Sequence, residues 1–131
     1  WNQSLAEELI AKNSQAYDIF TAAAAKPKFQ DPIYSDPTKI TYDVELPLFA
    51  PWRAGMRLIA LKSLYLAKQG KNKEALDEAI NIVSVGNKIV ASQSSIVEYL
   101  VGLAIKRTGS ETLQRIIMAA NIKNDDLKKL G

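Results

Sequence analysis

The sequence predicts an all-α fold of antiparallel helical hairpins, with about five helices and one long proline-rich extended connection. Three observations lead to this prediction. Apolar residues recur at helical spacing through most of the 131-residue chain, which is typical of amphipathic helices. All five prolines lie from position 27 to position 51, and proline interrupts a helix. A turn glycine at position 70 separates two of the helical patterns.

The first helix is predicted over residues 4–26. Ser4 and Glu7 have the spacing of a capping box, in which each side chain satisfies a free amide at the helix start. The helix is expected to stop before Pro27, because the residue that precedes a proline disfavours helical geometry. The extended connection then occupies residues 27–51.

Within that connection, apolar and polar residues alternate from Ile40 to Leu46. A period of two predicts an extended, strand-like segment with one apolar face. The segment either lies on the helices with its apolar face inward or forms an edge to which a partner strand adds. The first interpretation is favoured, because an exposed apolar edge promotes aggregation.

A helical hairpin is predicted over residues 52–91. Its first helix begins near Pro51, since proline suits the first helical position. Gly70 ends that helix, because glycine adopts a left-handed cap at little cost, and Asn72 is expected to cap the next helix. The second helix carries apolar or small residues along one face: Ala75, Ala79, Ile82, Val83, Gly86, Ile89 and Val90.

A second hairpin is predicted over residues 95–120. Ser95 and Glu98 form another capping box. Gly109 is expected to end the first of its helices and Ser110 to cap the other.

A short terminal helix over residues 124–130, capped by Asn124, completes the pattern. Because this helix is brief and the chain starts at Trp1 rather than at a methionine, we expect a fragment of a longer protein. All of residues 1–131 are assigned to a single helical domain.

Composition excludes several kinds of site. The chain contains no cysteine and no histidine, so it cannot supply a Cys/His zinc site or a Ser-His-Asp triad. The net charge of +3 is mild and the cations are interspersed with acids, so we predict no nucleic-acid partner. No apolar run reaches the roughly 18 residues of a membrane span. No carboxylate spacing indicates a catalytic pair or a calcium loop, so we predict no enzyme, no cofactor and no metal.

The stretch from Leu66 to Ile80 resembles a tetratricopeptide repeat. A small residue stands three positions before Gly70, and the run Glu74-Ala75-Leu76 follows the turn. The longer region from about Trp52 to Leu130 is similar to uncharacterised bacterial helical proteins that often carry an N-terminal membrane anchor. This resemblance implies a tetratricopeptide-like fold in a bacterial protein and weakly favours a location in the cell envelope. It is compatible with a membrane anchor upstream of Trp1.

These features predict a non-catalytic protein-interaction or assembly domain. Its partner is expected to be a protein or peptide held in a groove between the first three predicted helices. For Phe49 and Trp52 a structural role is favoured, in which both rings pack against the helices and hold the connection on the bundle. The residues predicted to contact the partner are aromatic and basic: Tyr42, Phe49, Trp52, Arg53 and Arg57.

Two other functions stay open. One is a small-molecule-binding or hydrolytic domain that uses carboxylates of the 31–45 connection, which contains Asp31, Asp36, Asp43 and Glu45. In this alternative Asp43 and Glu45 act with Tyr42 and Arg53 in a pocket under the connection. A deep polar cavity or a carboxylate with a strongly perturbed pKa would favour that function. The other is a structural spacer in a larger protein.

Overall fold

A computed structural model of the protein describes residues 1–30, 36, 38, 49–92 and 94–130, the last ten of these through their backbone alone. The predicted all-α class is confirmed, and the described residues contain no strand. The alternating segment from Ile40 to Leu46 lies outside the described residues. The chain order of the helices is α1 (Gln3–Lys12), α2 (Ser14–Ala24), α3 (Phe49–Lys68), α4 (Asn72–Val90) and α5 (Ile96–Leu130).

The predicted hairpin turn at Gly70 is confirmed, and it joins α3 to α4. Gly70 has a φ of 79°, a left-handed conformation that side chains disfavour. Its amide donates to the Ala67 carbonyl at 3.0 Å, and the Lys71 amide donates to the Leu66 carbonyl at 3.0 Å. These two bonds make a Schellman motif, which satisfies the last carbonyls of α3. The prediction that Asn72 caps α4 is wrong, because Asn72 is already helical and Lys71 precedes it without a side-chain cap.

The core lies where α3, α4 and α5 meet. Ile59, Ile82 and Ile105, one from each of these helices, are almost completely buried. Nearer the turn, the Ser63 hydroxyl donates to the Ala75 carbonyl at 2.5 Å in a fully buried position. This bond ties α3 to the first turn of α4 and satisfies a polar group that would otherwise be costly to bury.

The chain from Ile96 to Leu130 is one continuous helix, α5. The predictions of a second hairpin over 95–120 and of a separate helix over 124–130 are therefore wrong, and Ser110 and Asn124 lie inside α5 instead of capping new helices. The capping box at the start of α5 is confirmed. The Ser95 amide donates to the Glu98 carboxylate at 2.8 Å, and the Glu98 amide donates to the Ser95 hydroxyl at 3.1 Å.

Close approach of α4 explains why α5 contains Gly109 without ending there. A Cβ atom at Gly109 would lie 2.8 Å from the Val83 backbone nitrogen, and a Cβ atom at Gly86 would lie 2.6 Å from the Lys106 backbone nitrogen. Such distances are too short for carbon beside backbone atoms. We call the line of contact through Gly86 and Gly109 the glycine seam. Its glycines remove side-chain volume so that the two backbones can touch.

The predicted first helix over 4–26 is also corrected, because it divides into α1 and α2 at Asn13. The Asn13 side-chain amide donates to the Leu9 carbonyl at 2.8 Å. A short polar side chain that competes for a backbone carbonyl in this way favours a helix end over a helix interior.

The capping box predicted at Ser4 is absent. Asn2 precedes α1 as the N-cap, and its side-chain oxygen accepts from the Leu5 amide at 3.0 Å. The Glu7 carboxylate instead accepts from the Tyr65 hydroxyl of α3 at 3.0 Å. It therefore joins two helices instead of closing the end of one.

Two polar contacts attach α2 to α4. The Tyr17 hydroxyl donates to the Glu78 carboxylate in a partly buried position, and the Lys88 ammonium donates to the Ala24 carbonyl at 2.7 Å. The second contact places a cation at the C-terminal end of α2, where the helix dipole favours positive charge. Across the part of the chain that the structure describes, no helix has the length and apolar character needed to cross a membrane.

The Tyr17 contact predicts a pH dependence of stability. The pKa of Tyr17 is raised to about 12, first by burial of the hydroxyl and then by the hydrogen bond to Glu78 and the charge of that carboxylate. Because the folded-state pKa exceeds the ordinary value of about 10, this contribution to stability is complete below pH 10 and is lost as the pH rises through 12. As the pH rises from 10 to 12, we expect the urea midpoint of unfolding to fall less steeply for Tyr17→Phe than for the wild type.

The control for this measurement is Tyr99→Phe, which changes an exposed tyrosine on α5. It should reproduce the wild-type slope against pH. Equal slopes for Tyr17→Phe and the wild type would contradict the assigned role of the Tyr17 hydroxyl.

Candidate functional site

An open apolar groove of about 420 Å³ separates α1 and α2 from α3. The bend at Asn13 lets residues of both short helices face α3 across it. Because Leu58 and Leu61 are only half-buried and Leu9 is 41% exposed, the floor presents apolar surface to solvent. The lining residues are Leu9, Asn13, Ala16, Phe20, Pro51, Ala54, Gly55, Arg57, Leu58 and Leu61.

Gly55 determines how closely α2 approaches α3 at one end of this groove. A Cβ atom at Gly55 would overlap the ring of Phe20. The ring therefore lies directly against the backbone of α3, and Phe20 closes that end of the groove. On its other side the same ring borders a second, smaller cavity.

One of the two predicted arginines lines the groove. Arg57 is among its lining residues, and Arg53 lies one helical turn earlier on α3. Both side chains are exposed, and neither forms an ion pair with a described carboxylate. Residues four apart share a helix face, so α3 presents two positive charges beside the apolar floor.

The predicted aromatic residues are placed differently. Trp52 is half-buried and makes edge-to-face contacts with Phe29, at 5.1 Å between ring centroids, and with Phe49, at 5.4 Å. All three rings pack against the core. This packing matches the structural interpretation of Phe49 and Trp52, while Tyr42 lies outside the described residues.

The sequence predicted a groove between the first three predicted helices, which correspond to α1 with α2, α3 and α4, whereas the described residues that line the observed groove include none from α4. Leu9, Leu58 and Leu61 were not identified as its floor. Periodicity shows which side chains share a face of a helix, but not whether a neighbouring helix covers that face. The predicted helix over residues 4–26 would have been long enough to cover α3, and its division at Asn13 into shorter helices was not predicted, so nothing in the sequence indicated that this face of α3 stays open.

Of the four carboxylates considered for catalysis, Asp36 is the one that lies in the described part of the chain. Asp36 accepts hydrogen bonds from the Thr38 amide at 3.1 Å and from the Thr38 hydroxyl at 2.6 Å, a local turn interaction. Asp31, Asp43 and Glu45 lie outside the described residues. Among the residues that are described, no three potential ligands come together in a way that could hold a metal ion.

Comparison of the chain with protein-family models, with curated proteins and with solved structures finds no match. The described residues form a bundle of five helices in which consecutive helices pack against each other. Any function must therefore be inferred from the groove, the cavity and the charges around them.

Proposed function

We propose that this protein is a non-catalytic interaction domain that binds a segment of a protein partner in the groove between α1, α2 and α3. The observation that supports the proposal is the open apolar floor of this groove beside two exposed arginines. Grooves of this kind accept the apolar face of a helix or of an extended peptide. The hairpin of α3 and α4 is compatible with the tetratricopeptide-like interpretation, and a bacterial, cell-envelope setting belongs to the same proposal.

The chemistry of the groove defines the partner segment. An apolar side chain placed between Leu9 and Leu58 would remove exposed hydrocarbon from water on both sides, at about 25 cal/mol per Å². A carboxylate on the same segment would face Arg57, whose guanidinium can hold it with two parallel hydrogen bonds. We therefore expect a segment that combines apolar anchors with acidic residues.

A peptide selection tests this proposal. Random peptides are displayed and selected on the wild-type domain, and the affinities of enriched sequences are measured by fluorescence anisotropy. Apolar and acidic residues should dominate the enriched set. Arg57→Glu and Leu9→Ser should each weaken binding about tenfold, which corresponds to about 1.4 kcal/mol.

The matched control is Ile80→Ser, which removes an exposed apolar residue from α4, outside the groove. It should leave the affinity unchanged. Failure to enrich any peptide, or equal binding by wild type and both groove variants, would overturn the proposal and favour a spacer.

A further inference from the structure

A second cavity, of about 130 Å³, lies between α2, α3, α4 and α5 and is separate from the groove except for the shared ring of Phe20. Its walls are mostly apolar. Three aromatic residues, Phe20, Phe29 and Trp52, line the cavity together with Met56. Its size is close to that of an engineered apolar cavity of about 150 Å³ that takes up benzene.

The mouth of this cavity is positively charged. Lys88 and Lys28 are the charged residues in its lining, and no described carboxylate pairs with either of them. Lys88 is half-buried and uses one of its donors on the Ala24 carbonyl at 2.7 Å. An ammonium carries three donors, so two remain for a group at the cavity mouth.

We propose that this cavity binds a small aromatic carboxylate, with the ring between Phe20, Trp52 and Met56 and the carboxylate at Lys88. The aromatic walls favour a flat ring, which they contact edge to face. The limited volume restricts the ligand to one ring with a short substituent. The two lysines, which have no ion-pair partner among the described carboxylates, favour a negative charge at the mouth, because a neutral or positive substituent would gain no ion pair there.

The two methionines of the chain report on this binding. Met56 is buried in the cavity wall, whereas Met118 is 57% exposed on α5 and lies outside the lining. With methyl-labelled methionine, NMR gives one signal for each, and a Met118→Leu variant assigns them. Benzoate should shift the Met56 signal in a saturable way, with a dissociation constant on the order of 1 mM for a ligand this small, and should leave Met118 unchanged.

Charge selectivity is tested with ligands of nearly the same shape. Benzoate should bind about fivefold tighter than neutral benzamide, and benzylamine should bind weakest, as expected for one partly exposed ion pair. Lys88→Met should remove the difference between benzoate and benzamide. Equal affinities of the wild type for these two ligands would overturn the assignment of the carboxylate.

Occupancy of the cavity is tested with a matched pair of substitutions on α2. Ala23→Phe places a ring at an exposed position of the cavity lining, and Ala22→Phe places the same ring one residue away, outside the lining. The first should abolish the benzoate-induced shift of Met56, and the second should preserve it. Two results would overturn the proposal. One is retained benzoate binding by Ala23→Phe. The other is a wild-type Met56 signal that does not respond to 20 mM benzoate, which is about twentyfold above the expected dissociation constant. The peptide experiment on the groove is unaffected by either outcome.

Discussion

Gly86→Ala is expected to lower the free energy of unfolding by about 2–3 kcal/mol, although alanine is the better helix former. In an open helix this substitution would stabilise by up to about 1 kcal/mol. At Gly86 the added methyl would lie 2.6 Å from the Lys106 backbone nitrogen and 2.8 Å from the Gly102 carbonyl oxygen. Backbone atoms cannot rotate away as a side chain can, so α4 and α5 must move apart.

Urea denaturation followed by circular dichroism measures this effect. The matched control is Asn87→Ala, which changes the next residue of α4 at an exposed position and should alter stability by less than about 0.5 kcal/mol. A Gly86→Ala protein that is as stable as the wild type would show that the glycine seam is looser than described.

Ile82→Ala is expected to cost about 3–4 kcal/mol. Ile82 is completely buried on α4 and belongs to the core cluster shared with α3 and α5. Truncation removes three carbons and leaves a void, because α4 is held against α5 along the glycine seam and cannot easily move to fill it. A large part of the stability of a domain of this size would be lost.

Ile80→Ala provides the comparison, since it removes the same atoms two residues earlier on the same helix. Ile80 is 51% exposed, so its truncation should cost less than about 1 kcal/mol. Urea midpoints of both variants at one pH give the difference directly. Similar losses at the two positions would contradict the orientation of α4.

The glycines illustrate what the sequence could predict. Gly70 follows an apolar helical pattern, and a polar stretch comes after it, so a local rule identified a helix end correctly. Gly109 stands in a comparable context, yet it lies inside α5 because α4 approaches it there. The cause is a tertiary contact between α4 and α5, which the local sequence around Gly109 does not reveal.

The sequence indicated only some of the residues at the candidate groove. Arg53 and Arg57 were predicted to contact a partner, and in the structure Arg57 lines the groove while Arg53 lies one turn earlier on the same helix. The aromatic pair Phe49 and Trp52 could serve a surface or a core equally well. Their packing depends on Phe29, which is separated from them by the long connection, so local sequence could not decide between the two roles.

The few polar contacts that attach α1 and α2 have a consequence for dynamics. These helices are joined to the bundle through Glu7, Tyr17 and Ala24, around half-buried side chains, whereas α4 and α5 share a fully packed contact. Amide hydrogens of α1 and α2 should therefore exchange with solvent deuterium through a local opening, well before those of α4. In that opened form the ring of Phe20 would leave α3, and the groove and the cavity would lose their common wall at the same moment.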